Sequence, residues 1–233
     1  MPDPIRKIAL SRWADRVLAA HPELRSELER GAFSADEMSN ALAGARADDE
    51  RSIKRRLRRL RQRVFLRTMA RDLASEIDAA ANLAEVCRTM SRLAELSISA
   101  ALEWIGEPGL IVVAMGKLGG GELNVSSDID LVFVHPDGEH PERLERAGRR
   151  LIALLNDVTG DGFVFRVDMR LRPYGSAGPL VASFEALEAY LVTQGREWER
   201  YAWIKARAVS GTAEGIAGLE AIVRPFVFRK YLD

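Results

Sequence analysis

Two aspartates stand one residue apart at the start of an apolar run in GKLGGGELNVSSDIDLVFV, which covers residues 116–134. In a strand, Asp128 and Asp130 would share one face with their Cα atoms about 7 Å apart. Two ionised carboxylates at that spacing repel each other, and partial burial disfavours their charged forms further. Mg²⁺ resolves this conflict, because in proteins it favours one or two carboxylates together with phosphate oxygens and water. The spacing therefore predicts a Mg²⁺ site, although Asp-x-Asp alone is also common in turns.

A glycine cluster precedes the two aspartates and directly follows a predicted strand. Gly119, Gly120 and Gly121 would let backbone N–H groups approach an anion without obstruction by Cβ atoms. Ser126 and Ser127 add hydroxyl donors at the edge of the same loop. Glycine runs are frequent in loops, and this one has neither the Lys-Ser/Thr ending of a Walker loop nor dinucleotide-binding spacing. We expect it to bind phosphate only in combination with the neighbouring carboxylates.

A third acidic residue lies in FVFRVDMRLRP, residues 163–173, where apolar and polar residues alternate as in a strand. The polar face carries Asp168 among Arg166, Arg170 and Arg172. A guanidinium binds phosphate bidentately, so Arg170 and Arg172 are candidate phosphate ligands. The alternative is an exposed edge strand with alternating ion pairs, which contribute little to stability. With the glycine loop and the Asp-x-Asp pair, Asp168 predicts a two-metal site for phosphoryl or nucleotidyl transfer, at which the three aspartates are both catalytic and metal-ligating.

The segment REWERYAWIKAR, residues 196–207, places Trp198, Tyr201 and Lys205 on one face of a predicted helix. We expect the two aromatic side chains to pack in the core. Lys205 is a further candidate phosphate ligand, since its stem is long enough to extend from the helix.

The elements that must position these residues divide the chain into two parts. Residues 1–107 show helical spacing and capping residues, and residues 108–233 contain short β-branched runs between helices. This pattern predicts an α+β fold in which a helical N-terminal region precedes a catalytic domain. The predicted helices begin at Asp3 and Pro4, at Ser34, at 51, at Ser75 or Asp78, at 141 and at Ser183, and an amphipathic segment follows from Arg196 to Val209. Ser34 to Glu37 matches a capping box, and the helix from 51 has one apolar stripe, formed by Ile53, Leu57, Leu60 and Val64. The predicted strands are 109–115, 129–134 and 163–173.

The composition limits the partners. The 233 residues include 34 Lys and Arg and 34 Asp and Glu, so no net charge attracts nucleic acid or an anionic membrane. The arginine-rich helix 51–73 lacks interleaved aromatic residues, which favours a solvated face, or a face docked on acidic neighbours, over a nucleic-acid surface. A lone cysteine, no signal peptide and no long apolar run predict a cytoplasmic protein that does not enter a membrane.

Four segments resemble one bacterial family: AMGKLGGGELNVSSDIDLVFV, DGFVFRVDMRLRPYGSAGPLV, QGREWERYAWIKARAVSG and RPFVFRKYLD. They are similar to the N-terminal half of glutamine synthetase adenylyltransferase/adenylyl-removing enzymes, almost continuously from Ala114 to Asp233. The resemblance implies a nucleotidyltransferase-type mixed sheet with flanking helices. It also implies that Mg²⁺ or Mn²⁺ is held by Asp128, Asp130 and Asp168.

The family carries one nucleotidyltransferase copy that adds AMP to a tyrosine of glutamine synthetase from ATP, and one that removes it with phosphate, releasing ADP. Gly121 and NVSSDIDL resemble the removing copy. The implied partners are adenylylated glutamine synthetase, orthophosphate and ADP, with a PII-type signalling protein as a further candidate. Because the family continues beyond Asp233, we expect no adenylylating activity. The alternatives are an ATP-dependent protein adenylyltransferase, or a silent module that binds glutamine synthetase or a PII-type protein.

Overall fold

The computed structural model describes residues 11–74 and 79–228. The helix starts predicted at Asp3 and Pro4 and at Ser75 or Asp78 lie outside these residues. The N-terminal helices are α1 (Arg12–Ala20), α2 (Ala35–Leu42), α3 (Glu50–Ala74) and α4 (Ala79–Ile105), with 3-10 helices at Pro22–Glu29 and Ala45–Ala47. None of the helices in the described ranges is long and apolar enough to cross a membrane.

Local sequence signals explain where these helices begin and which side they bury. The predicted capping box at Ser34 is present: its Oγ accepts from the N–H of Glu37, and the Glu37 carboxylate accepts from the N–H of Ser34, both at 3.1 Å. This arrangement satisfies two backbone donors that a helix start otherwise leaves unpaired. The predicted apolar stripe of α3 is fully buried at Ile53, Leu57, Leu60 and Val64.

A five-stranded mixed sheet forms the centre of the second half. Its strands are β1 (Ile111–Ala114), β2 (Ile129–His135), β3 (Val167–Asp168), β4 (Val181–Ser183) and β5 (Arg207–Ser210). The order is β3-β2-β1-β5, with β4 also paired to β2. β1 runs antiparallel to β2 and β5, whereas β3 and β4 run parallel to β2. The flanking helices are α5 (Gly116–Gly119), α6 (Pro141–Asn156), α7 (Phe184–Thr193), α8 (Glu197–Ile204) and α9 (Ala213–Val227), with a 3-10 turn at Gly175–Ala177. The predicted α+β fold is confirmed.

Apolar side chains cover both faces of this sheet, as the uninterrupted apolar runs of β1 and β2 require. Leu131 and Phe133 pack into a core shared with α3, α4 and α6. Val132 and Val134 pack into a second core with α7, α8 and α9. Residues two apart in a strand share a face, so Asp130 projects on the same side as Val132.

The strand predicted over 163–173 is wrong except at Val167–Asp168. Val164 and Phe165 are both buried, although strict alternation would expose one of them. The N–H groups of both residues donate to the carbonyl of Leu155, at 2.8 and 3.0 Å. The segment therefore packs against the end of α6 before a short pairing with β2 begins.

The amphipathic segment predicted from Arg196 to Val209 divides into α8 and β5, and sequence patterns did not indicate α9. The prediction that Trp198 and Tyr201 pack in the core is wrong: their side chains are 53% and 74% exposed. Trp203, on the other face of α8, is the buried aromatic residue of this helix.

The arginines of α3 bind acidic side chains and backbone carbonyls rather than solvent alone. Arg67 is 2% exposed and binds Glu27 and Glu37. Arg58 is fully buried and donates to the carbonyls of Leu154 at 3.1 Å, Asp157 at 2.5 Å and Gly162 at 2.7 Å. These contacts match the expected face docked on acidic neighbours and connect the N-terminal helices to the sheet domain.

Candidate active site

The pairing of β2 with β3 brings two of the predicted aspartates side by side. The strands are parallel, and Asp130 stands opposite Asp168 while Ile129 stands opposite Val167. Paired residues of neighbouring strands lie about 4.8 Å apart and point to the same face. Asp128 lies two residues before Asp130, immediately ahead of β2. The sheet therefore collects all three candidate carboxylates at one end of β2.

The electrostatics of Asp130 reflect this crowding. Its carboxylate is half-buried, and burial, followed by the neighbouring charges of Asp168 and Asp128, raises its pKa. Arg170 and Lys117 oppose this shift without cancelling it. Within the described ranges, Asp130 has no ion pair of its own. Its ionised form is therefore the least compensated charge of the three.

Arginines neutralise the other two carboxylates. Arg170 Nη2 lies 2.5 Å from Asp168 Oδ2, and the backbone N–H of Arg170 donates to Asp168 Oδ1 at 2.8 Å. These hydrogen bonds lower the pKa of Asp168 despite its partial burial. Arg166 Nε lies 2.5 Å from Asp128 Oδ1, an exposed pair. The arginines of the predicted polar face thus reach the carboxylates, Arg166 as well as Arg170.

The three aspartate carboxylates are chemically suitable ligands for a divalent cation. Oxygen ligands from carboxylates suit Mg²⁺ and Mn²⁺, and a cation would relieve the uncompensated charge of Asp130. In residues 11–74 and 79–228, no three acidic, His or Cys side chains converge as a ready ligand cluster. Arg166 and Arg170 hold two of the carboxylates, so a cation bound by all three would replace these ion pairs.

The glycine loop lies against the carboxylates through a residue that the sequence analysis did not single out. Gly116 has φ +52°, and a Cβ atom there would lie 2.8 Å from Asp130 Oδ2. Gly119 has a packing role, because a Cβ atom would lie 2.1 Å from the carbonyl oxygen of Lys205. Gly121 has φ +69° and open space around it. The signal for Gly116 was its position directly after the predicted strand 109–115, where the chain turns sharply.

Ser126 and Ser127 form a tight turn with Asn124, which the sequence analysis also missed. The Asn124 amide oxygen accepts from the N–H of Ser126 at 3.1 Å and from Ser127 Oγ at 2.9 Å. Ser127 Oγ in turn accepts from the N–H of Asn124 at 3.2 Å. Asn followed by Ser two and three residues later is a recognised turn signal. This turn fixes the approach of the chain to Asp128.

The remaining candidates lie at different distances from the carboxylates. Arg170 binds Asp168 directly. Arg172 donates to the carbonyls of Met169 and Ser176, at 3.0 and 3.3 Å, and its buried Nε has no acceptor among the described residues. Lys205 pairs with Glu122 at 2.8 Å beside the glycine loop. Their binding of phosphate, like that of Gly120, stays a prediction.

The amino-acid sequence of the chain matches one family of known proteins. The sequence profile described as "Glutamate-ammonia ligase adenylyltransferase" matches residues 4–221. A bifunctional glutamine synthetase adenylyltransferase/adenylyl-removing enzyme of Chromobacterium violaceum is 50% identical over 98% of this chain. Proteins with the same description from Nitrosomonas eutropha and Aromatoleum aromaticum are 50% and 46% identical over 96% and 100% of it. The chain spans only 28%, 27% and 27% of the length of these three relatives.

Proposed function

Because the chain belongs to the glutamate-ammonia ligase adenylyltransferase family, we propose that it is a nucleotidyltransferase that removes AMP from an adenylylated tyrosine of glutamine synthetase. Phosphate would be the second substrate and ADP the product. The pairing of Asp130 with Asp168 on parallel strands carries this proposal, since it joins the predicted carboxylates at one site. The removing direction is favoured by Gly121 and NVSSDIDL, which resemble the removing copy of the family.

The proposed reaction is an in-line displacement at the α-phosphorus. An oxygen of orthophosphate attacks that phosphorus and forms the new P–O–P bond of ADP. The bond between the phosphorus and the tyrosine oxygen breaks, and the phenolate takes a proton. Tyrosine is a tolerable leaving group because its phenol has a pKa near 10. Orthophosphate is partly dianionic at neutral pH, so the reaction does not require a dedicated general base.

The residues of the site would contribute positioning and charge. Asp128, Asp130 and Asp168 would hold Mg²⁺ or Mn²⁺, which when bound neutralises charge on the transferring group. Arg170 would pass from Asp168 to the phosphate oxygens when the carboxylate binds the cation. A guanidinium matches two phosphate oxygens at once, so this exchange would orient the substrate as well as compensate its charge.

The remaining phosphate-binding candidates surround that centre. The N–H groups of Gly119, Gly120 and Gly121 donate to the carbonyls of Met115, Gly116 and Leu118, so they would bind phosphate only by exchanging these bonds. Ser127 would likewise offer its hydroxyl only by leaving the Asn124 amide oxygen. Lys205 lies beside the same loop and would reach an incoming phosphate only by leaving Glu122. Cytoplasmic location and a PII-type regulator are part of the same proposal.

The description of the family and the names of the relatives also include adenylyltransferase activity, which gives the second candidate function. Two incubations separate the candidates. Adenylylated glutamine synthetase with orthophosphate and Mg²⁺ or Mn²⁺ should yield ADP, and unmodified glutamine synthetase with labelled ATP should remain unlabelled. Sulfate at equal ionic strength is the control, since it cannot yield ADP. Labelling of the protein from ATP would replace the proposed direction with the opposite one, and inactivity in both incubations would favour a binding module.

A further inference from the structure

A cavity of about 270 Å³ lies beside the carboxylates, bounded by the segment after β3 and by α7 and α8. Arg170 lines this cavity while its guanidinium binds Asp168. One side chain therefore touches both the carboxylate site and the cavity. A ligand with its phosphorus at the carboxylates would have its remaining part directed along Arg170 into this space.

Two aromatic rings in the cavity wall are available for stacking. Tyr174 and Trp198 line the cavity and are 57% and 53% exposed. Tyr174 has φ +60°, and it is the one non-glycine residue with positive φ in the part of the chain that the structure describes. Residues with a Cβ rarely adopt this conformation, and it marks functional sites when it persists. The Tyr174 ring packs edge-on against Tyr190, with centroids 4.6 Å apart, which fixes its position in the wall.

The lining holds three arginines and one carboxylate, and its aromatic rings and volume, rather than its net charge, favour a nucleoside over a free oxyanion. The Glu199 carboxylate lines the cavity and is held by the Tyr190 hydroxyl at 2.5 Å and by the N–H of Arg196 at 3.0 Å. A fixed negative charge opposes orthophosphate. A volume of about 270 Å³ also exceeds what a tetrahedral anion would fill.

We propose that this cavity receives the purine nucleoside part of the adenylyl group, an inference that rests on the proposed function. The base stacks on Trp198 and Tyr174, since aromatic rings stack on any base face. Arg196, whose guanidinium has no ion pair among the described residues, lies at the same wall to contact the base or the ribose. These residues bind substrate, and the carboxylates carry out the chemistry.

The test measures ADP binding to the whole chain with Mg²⁺, by calorimetry and by tryptophan fluorescence. We expect ADP to quench the wild-type fluorescence. The variant Trp198→Phe keeps a stacking ring, so it should bind ADP within about threefold of wild type while most of the quenching is lost. Trp198→Ala and Tyr174→Gly should each weaken binding about tenfold, the scale of one base–aromatic stack. Tyr174→Gly relieves the positive φ but removes the ring contact with Tyr190, so its melting temperature should change by no more than about 4 °C.

Tyr201→Ala is the matched control, because Tyr201 lies on α8 three residues after Trp198, is 74% exposed and does not line the cavity. Adenosine should compete with ADP for the cavity, and orthophosphate alone should not quench Trp198. The inference is overturned if ADP does not bind, if it binds Trp198→Ala and Tyr174→Gly as tightly as wild type, or if orthophosphate alone produces the quenching. These readouts need no turnover, so a chain that binds ADP through Trp198 but releases no ADP from adenylylated glutamine synthetase would refute only the proposed reaction.

Discussion

Replacing Arg58 by methionine should destabilise the protein by about 3 kcal/mol. The substitution keeps most of the side-chain volume but removes hydrogen bonds to the carbonyls of Lys54, Leu154, Asp157 and Gly162. Gly162 keeps the N–H of Thr159 as a donor, whereas Leu154 and Asp157 have no other donor among the described residues. A hydrogen bond from a charged donor contributes about 1.5–3 kcal/mol, or roughly 3–6 kcal/mol for these two carbonyls. Burial lowers the pKa of Arg58, which shows that its charge is itself costly to bury. Removing the buried charge returns part of this loss, so the net cost lies at the lower end of the range, about 3 kcal/mol.

Urea unfolding of Arg58→Met and of a matched variant measures this effect. Arg55 lies on the same helix, and its side chain is exposed. Arg55→Met should therefore change the free energy of unfolding by less than about 0.5 kcal/mol. The m-value should stay constant in both variants, so that the shift in midpoint reports stability. A loss below about 1 kcal/mol in Arg58→Met, or an equal loss in Arg55→Met, would refute the inference that Arg58 joins the helical region to the sheet domain.

Three further predictions concern charge and backbone packing. Glu27→Gln should cost about 1–3 kcal/mol at neutral pH, because the buried Arg67 loses one of its two carboxylate partners and keeps Glu37. Burial alone would raise the pKa of Glu27, but its hydrogen bonds to Arg67 and Arg63 outweigh burial and lower that pKa in the folded protein. The stabilisation by ionised Glu27 is therefore fully present above the unfolded pKa of about 4.3 and is lost as pH falls through the lower folded pKa. Denaturation across this pH range should show the deficit of Glu27→Gln shrinking, and a constant deficit would contradict it. In urea unfolding, Gly119→Ala should cost about 1–3 kcal/mol more than Gly121→Ala, since only the first substitution forces a Cβ atom against backbone atoms. Equal losses of stability in the two variants would contradict the packing role of Gly119. The pKa of Asp130 is raised in the folded protein, so its ionisation destabilises the fold as pH rises through the folded pKa. Asp130→Asn should therefore unfold at a higher urea concentration than wild type at neutral pH and lose this advantage below about pH 4. An unchanged or lower urea midpoint at neutral pH would count against charge crowding.

Patterns that depend on neighbours in the chain were predictable from the sequence. The capping box at Ser34 and the apolar stripe of α3 are set by residues three and four apart, and both form as expected. The runs of β1 and β2 are apolar on both faces, which indicated buried strands. The two aspartates at the start of β2 were recognisable because charged residues in such a run need a compensating partner.

Features that depend on distant parts of the chain were not predictable in this way. Whether 163–173 pairs as a strand depends on how much of the β2 edge is free, and β4 pairs with the part from Phe133 onwards. Similarly, the exposed face of α8 could not be distinguished from its buried face, because both carry aromatic residues. Trp203 faces α9 and the sheet, whereas Trp198 lines the cavity beside Asp168. The sequence therefore indicated the three clustered carboxylates more completely than the walls of the cavity beside them.

The most direct test of the proposed function follows ADP formation from adenylylated glutamine synthetase while orthophosphate is varied at fixed Mg²⁺. We predict saturable, phosphate-dependent ADP formation, with one unmodified tyrosine per ADP released. Asp130→Asn should lower turnover at least about a hundredfold, because charge stabilisation by a bound cation is worth several kcal/mol. Asp36→Asn, a change at an exposed carboxylate of α2, should leave turnover unchanged. ADP formation that does not depend on phosphate, or equal turnover in wild type and Asp130→Asn, would contradict the assignment.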